Sequence, residues 1–428
     1  MNHQLKRTIG FYGATMMGLG SILGTGVFIS IGVAAGVTGP SVILAIILAG
    51  ILAVCNGMST AQLAADYPVS GGTYAYGRRY LNDQLGFVAG WLFLAAKSAS
   101  AATAALAFGG YFELMTGVTA LNAFEVGAIA LAAITLISIL GIKRSNQLNT
   151  AIVTITLLAL GAFVVSSLSF FEIENFSHMF QAGLGSARAN PAARFLEATA
   201  LMFVAYTGYG RVATLGEEIT NPKKNIPKAI MITLGITLIL YISVSLCAIG
   251  SVGATTYSSY AFDNAAPLQA ISNQLNAPAI GVFVGLGAMV AMLGVLLNLI
   301  LGLSRVLFAM GQNNEMPSFV GKLSPQSNPN LAILVVAGII LGLMCLGDVK
   351  ATWSFSAFTV LLYYSMTNIC ALRLPPEKRL YPKALAWVGL VGCLGLSIWV
   401  DLQAISLALV ILVVGYLLRT LSLKARNY

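Results

Sequence analysis

Charge is what this sequence has least of. Only 9% of its 428 residues are charged, where a soluble domain carries roughly 25%, and 58% are hydrophobic. Charges become scarce when long stretches must sit in hydrocarbon, because each one is expensive there. Length alone would allow two or three soluble domains, but no polar stretch is long enough to fold independently, so a single membrane domain is expected. Histidine is nearly absent: His3 and His178 are the two, and both fall outside the apolar runs. There is no HExxH, no GxSxG and no pair of acids at membrane depth. An embedded enzyme would have nothing to work with, and neither cofactor nor metal is expected. The five cysteines (Cys55, Cys247, Cys345, Cys370 and Cys393) lie in apolar segments without a CxxC pair or a nearby histidine. They read as small hydrophobes. The opening MNHQLKRTIG lacks the short apolar core and small-residue cleavage site of a signal peptide, so the first apolar run is expected to be retained.

What the chain has in abundance is spanning length. A transmembrane helix takes about 20 apolar residues. Twelve stretches are candidates, near 9–35, 41–64, 86–111, 124–141, 149–171, 195–213, 228–252, 279–310, 331–346, 351–373, 383–399 and 402–420; the ninth is short, and eleven spans is the alternative count. With the N-terminus placed in the cytoplasm, 19 of the 23 Lys and Arg residues fall on the cytoplasmic side. Arg188, Arg194 and Lys350 fall outside, and Lys97 falls within a span. This is the positive-inside pattern for an even number of spans with both termini inside. It accounts for the net charge of +9 without a nucleic-acid partner. The cytoplasmic stretch from Gly72 to Gln84 mixes tyrosines with Arg78 and Arg79, which predicts a short helix along the interface. The outer stretch from about Thr255 to Pro278 is polar, and reads either as a cover over an entrance or as a loose loop.

Two spans are interrupted. The first contains Gly18, Gly20, Gly24 and Gly26 within nine residues, each costing up to about 1 kcal/mol in a helix interior relative to alanine. The sixth contains Phe203-Val204-Ala205-Tyr206-Thr207-Gly208-Tyr209-Gly210, a glycine-punctuated polar and aromatic patch. Unwound backbone at membrane depth is tolerated only where it is buried in protein or lines a wet cavity. Paired interruptions at corresponding positions of two halves point to a transporter's central site. Spans one and six each open a block of five, giving two inverted five-helix repeats (1–171 and 172–373) followed by two extra helices (374–428). Glycines also serve close helix packing, but two matched patches favour a binding site. There, freed N–H groups near Ser21–Gly26 suit a carboxylate and freed carbonyls around Phe203–Gly208 suit an ammonium, as an amino-acid zwitterion requires. Phe203 or Tyr206 would close over it.

At these residues the sequence resembles the amino acid–polyamine–organocation superfamily of transporters. The resemblance rests on Gly20 to Phe28, on Tyr67-Pro68-Val69-Ser70-Gly71-Gly72-Thr73-Tyr74-Ala75-Tyr76, on Phe203 to Arg211 running on through Glu217 to Ile230, and on Ser304-Arg305 through Met316-Pro317. It implies an all-α integral membrane fold of twelve helices, a five-plus-five inverted repeat with broken helices one and six, and alternating access. The implied substrates are amino acids or related amines. The implied site is Ser21, Ile22, Gly24, Thr25 and Gly26 with Phe203, Ala205, Tyr206 and Gly208, while Glu217, Glu218 and Arg305 would stand at the cytoplasmic gate or pair with surface lysines. Many relatives have Glu-Leu where this chain has Gln62-Leu63, and Asp-Gly where it has Asn314-Glu315. Proton-coupled relatives often carry a lysine in span five, where this chain has Thr156.

Lys97 is the one Lys or Arg near the middle of a span, and placing it there costs about 2.5–3.5 kcal/mol on insertion scales. It is a candidate proton carrier, or a fixed cation standing where relatives bind sodium. Span eight, Ala288 to Asn298, offers Asn298 but no hydroxyl to help complete a sodium site. No Asp or Glu lies deep in spans one, three, six, eight or ten, which favours neutral amino acids, small or apolar ones among them. Glu197 falls near the outer end of span six. Span ten carries Ser354, Ser356, Thr359, Tyr363, Tyr364 and Ser365, placed to contact a polar ligand or to bond their neighbours. The expectation is a permease of a prokaryotic plasma membrane, a proton symporter in the first reading, an amino-acid exchanger or a polyamine or cationic amino-acid carrier in the others. A channel would want an open, uniformly lined pore.

Overall fold

The computed structural model describes residues 7–69, 71–117, 120–140, 146–180, 188–214, 216–263, 266–324, 328–345 and 349–424. Lys6, Lys143, Arg144 and Arg426 of the charge count lie outside these residues. In chain order the helices are α1 (Phe11–Ile22), α2 (Ile31–Thr38), α3 (Val42–Asp66), α4 (Gly72–Tyr80), α5 (Asp83–Thr116), α6 (Ala123–Ile139), α7 (Asn146–Ser167) and α8 (Pro191–Tyr206). They continue as α9 (Gly210–Thr214), α10 (Pro222–Asp263), α11 (Pro267–Gln274), α12 (Pro278–Gln312), α13 (Asn330–Met344), α14 (Val349–Leu372), α15 (Lys383–Ser397) and α16 (Leu402–Lys424). Among the described residues no strand forms, and one parallel bridge pairs Ile9 with Ile219.

Among the described residues, seven helical stretches are long and apolar enough to cross a membrane: 26–66, 83–116, 147–170, 222–263, 278–312, 349–372 and 402–424. Helices α6, α13 and α15 are shorter and apolar. The 26–66 stretch bends at Gly39, whose φ of 68° is open to glycine at little cost, and at Pro40, so that α2 and α3 are separate rods. Helix α10 kinks at Gly253 (φ 78°) for the same reason. Its last turns run to Asp263 and α11 spans Pro267–Gln274, so among the described residues the polar stretch after span seven is mostly helical rather than a loose loop. A short helix, α4, stands where one was expected after span two.

Caps fix several starts. Asn82 accepts from the Leu85 N–H at the head of α5, Asn122 and Glu125 form a reciprocal capping box on α6, and Asn190 precedes Pro191 at the head of α8. Helix α5 lies in the middle, buried along most of its length against α12 and α14. Its small residues permit this; Gly86, for example, sits flush against the Arg78 backbone of α4. Large apolar side chains face outward from α7, α10, α15 and α16, among them Val165, Ile239, Val391 and Val413. Such a belt would be a liability in water and is the surface hydrocarbon demands.

Candidate functional site

Both interruptions expected from the glycines are present, and they differ in kind. Helix α1 ends at Ile22, Leu23 turns extended (φ −75°, ψ 95°), and the chain re-enters helix through a π turn at Gly26–Ser30 that leads into α2. Helix α8 does not unwind; it tightens into a 3₁₀ turn at Thr207–Tyr209 before α9. The two breaks touch. Gly208 lies against the carbonyl group of Ser21 so closely that no side chain fits between them. A Cβ on Gly26 would stand 2.6 Å from the Tyr241 hydroxyl and 3.0 Å from the Ala205 Cβ.

A cavity opens beside the breaks. Ser21, Ile22, Thr25 and Gly26 line it from one break, and Ala205 and Gly208 from the other. The remaining expected residues stand behind this wall. Gly24 packs toward Val295, where a Cβ would meet the Val295 Cγ2 at 2.8 Å. Phe203 is fully buried edge-on to Tyr364, with ring centroids 5.7 Å apart. Tyr206 is also buried, donating to the Ile46 carbonyl at 3.1 Å and leaning on the Tyr241 ring.

Carbonyls around the second break already have side-chain partners. Tyr241 donates to Ala205, Thr207 Oγ1 to Val204, and Tyr364 to Thr207. The Trp353 indole donates to Leu201 at 2.9 Å.

Lys97, on α5, is 8% exposed and lines the cavity. Its Nζ donates to Thr207 Oγ1 at 2.8 Å, which ties α5 to the second break. Among the described residues no carboxylate lies within ion-pairing distance of it, and no Asp or Glu lines the cavity. Toward its mouth the cavity is lined by Arg211, Thr214 and Arg305, the last of them exposed. At the opposite end, residues 26–40 are buried throughout. There Tyr111 donates to the Phe28 carbonyl at 3.0 Å and the two rings meet edge-on, closing that side.

A protein-family model described as amino acid permease matches residues 13–424. The chain belongs to the amino acid permease family. An uncharacterized transporter of Mycobacterium tuberculosis is 36% identical over 423 residues, which cover 96% of this chain and 90% of that protein. A branched-chain amino acid permease of Bacillus subtilis is 27% identical over 340 residues, covering 75% and 70%. A vacuolar cationic amino acid transporter of Arabidopsis thaliana is 23% identical over 401 residues, covering 88% and 65%. The protein is thus a multi-pass membrane transporter and not an enzyme.

In this permease Glu217 and Glu218 lie beyond α9 and are not among the cavity-lining residues. The Glu218 carbonyl accepts from the N–H groups of Thr8 and Ile9, each at 3.0 Å, and Thr220 N–H donates back to the Ile9 carbonyl at 2.9 Å. Near the same end Glu315 is 3% exposed, accepts from the Tyr74 hydroxyl at 2.6 Å, and faces Arg78 and Arg419 at 3.9 and 3.6 Å. Glu197 is buried and paired with Arg188 at 3.1 Å, at the head of α8. Among the cavity residues that sequence reasoning missed are Phe93, Ser100 and Trp353, and on α12 Leu299, Gly302, Leu303 and Val306. Phe93, Lys97 and Ser100 recur at helical spacing on one face of α5, but α5 is apolar all round and gives no periodicity by which to choose that face.

Proposed function

We propose that this permease is a secondary active transporter of neutral amino acids, working by alternating access and coupled to protons through Lys97. The carrying observation is a cavity between two interrupted helices that holds a buried lysine and no carboxylate. A substrate with a cationic side chain would enter beside Lys97, Arg211 and Arg305 with nothing to offset its charge, which disfavours cationic amino acids and polyamines. The positive end of the helix resumed at Gly26 suits the substrate carboxylate. Thr25 and Gly26 stand at that end, Ser21, Ile22 and Gly24 form the break before it, and Phe203, Ala205, Tyr206 and Gly208 build the opposite side.

In this reading twelve spans form two inverted five-helix repeats (1–171 and 172–373), with α15 and α16 in 374–428, and the broken first and sixth rods, α1 with α2 and α8 with α9, open the two repeats. With both termini cytoplasmic in a plasma membrane, the cavity is in an inward-facing state. Glu217, Glu218 and Arg305 then stand at its cytoplasmic gate.

The test is uptake of radiolabelled amino acids into proteoliposomes, with and without an inward proton gradient, for the wild type and Lys97→Ala. Saturable uptake of neutral amino acids, stimulated by the gradient in the wild type alone, is the expected result. Uptake indifferent to the gradient but dependent on amino acid loaded inside would make the protein an exchanger and return Lys97 to a structural role.

A further inference from the structure

The wall of the cavity facing the two breaks offers hydrogens and few places to put them. Asn298, on α12, lines the cavity and is 4% exposed, and its Nδ2 has no acceptor among the described residues. An amide nitrogen carries two hydrogens, so both are unspent. Lys97 brings three, of which Thr207 Oγ1 takes one. The hydroxyls nearby are already occupied: Ser100 bonds Ser356 at 2.8 Å, and Ser356 reaches the Ala96 carbonyl at 3.0 Å. With no Asp or Glu among the described lining residues, the hydrogens on Asn298 Nδ2 and the two left on Lys97 have no carboxylate to take them, and a ligand oxygen would.

We infer that the permease selects amino acids whose side chain ends in a neutral hydrogen-bond-accepting oxygen, a hydroxyl or a carboxamide, received by Asn298. This rests on the neutral amino-acid reading above and narrows it. A hydrocarbon side chain in the same place would leave the Asn298 amide dry and unpaired. Sites built to hydrogen-bond a substrate group reject the analogue lacking it far more strongly than an apolar pocket rejects a missing methylene. The preference therefore differs from the branched-chain specificity in the name of the Bacillus relative.

Two pairs of near-identical shape decide it: threonine against valine, and asparagine against leucine, compared by kcat/KM for uptake into proteoliposomes. Wild-type protein is expected to favour the oxygen-bearing member of each pair at least tenfold. In Asn298→Leu both ratios are expected to fall to within about threefold of one. Valine and leucine carried as well as their partners by the wild type would overturn the inference and leave the transport reading standing. Aspartate carried faster than asparagine would overturn it in the other direction, assigning an acidic side chain to Lys97. Uptake of no amino acid at all would remove the transport reading, and the inference with it.

Discussion

The hydroxyl of Tyr241 donates to the Ala205 carbonyl at 2.9 Å, and the same oxygen stands 3.4 Å from the carbonyl of Ile22. One side chain from α10 therefore touches the last helical turn before each interruption. Both interruptions are referred to a single fixed group.

Removing that hydroxyl in Tyr241→Phe leaves a buried carbonyl without its partner, a loss of about 1–3 kcal/mol. The expected result is a lower unfolding temperature in detergent together with weaker substrate binding. A variant as stable as wild type, binding substrate equally well, would remove Tyr241 from the site.

Glycine is required at 208 by contact, since the Ser21 carbonyl group is backbone and cannot turn aside. Overpacking of this kind costs typically about 1–3 kcal/mol. Gly208→Ala is expected to reduce uptake at least tenfold. Gly338, within α13, has nothing within 4 Å of the place a methyl would take, so Gly338→Ala should be neutral or stabilise by up to about 1 kcal/mol. Equal uptake by the two variants would refute the contact between the breaks.

The direction in which the cavity opens is testable by thiol labelling in a Cys345→Ser background, because the other four cysteines are buried. Ser21→Cys should react with a membrane-impermeant reagent applied from the side bearing Arg305, and substrate should slow the reaction. Val33, 1% exposed beyond the π turn, should resist labelling as Val33→Cys. Faster reaction at 33 than at 21 would mean that the cavity faces the other way.

Burial holds the Glu315 carboxyl above its ordinary range, and the Tyr74 hydroxyl with the Arg78 and Arg419 guanidiniums offsets only part of that push. A raised value means that the folded protein binds the proton more tightly than the unfolded chain. The stabilisation is therefore complete below the ordinary carboxyl range and is lost as pH rises through the raised value. Glu315→Gln keeps an oxygen for Tyr74 and removes the titration. Between pH 5 and pH 7 the unfolding temperature of wild type should fall by more than that of the variant. A steeper fall in the variant would contradict this account.

Much of the site was legible because glycine and proline mark where a helix cannot continue. The clusters at 18–26 and 203–210 located both interruptions. Sequence could not say which way a residue in an interruption points. Phe203 and Tyr206 were natural lids by composition, yet they are packed behind the cavity, because α8 tightens into a 3₁₀ turn where an unwound segment was expected. Nor could it assign faces to α5 and α14, which are buried on nearly all sides, so Phe93, Ser100 and Trp353 carried no signal. Glu315 was visible only as a departure from a motif; its partners Tyr74 and Arg419 are distant in sequence, and folding alone brings them together.

The short ladder between Ile9 and Ile219 has a mechanical consequence. It joins the chain just before α1 to the chain just after α9, the two half-helices on the mouth side of the interruptions. Three of these bonds are made by main chain, with the Thr220 hydroxyl adding a fourth to the Ile9 carbonyl, so most side-chain substitutions leave the fastening intact; proline at 8, 9 or 220 is the exception because it removes a donor. Fastened there and pressed together at Ser21 and Gly208, the two half-helices are coupled as one lever. Rocking of either would carry the other with it, and the cavity would open and shut on both walls in a single stroke.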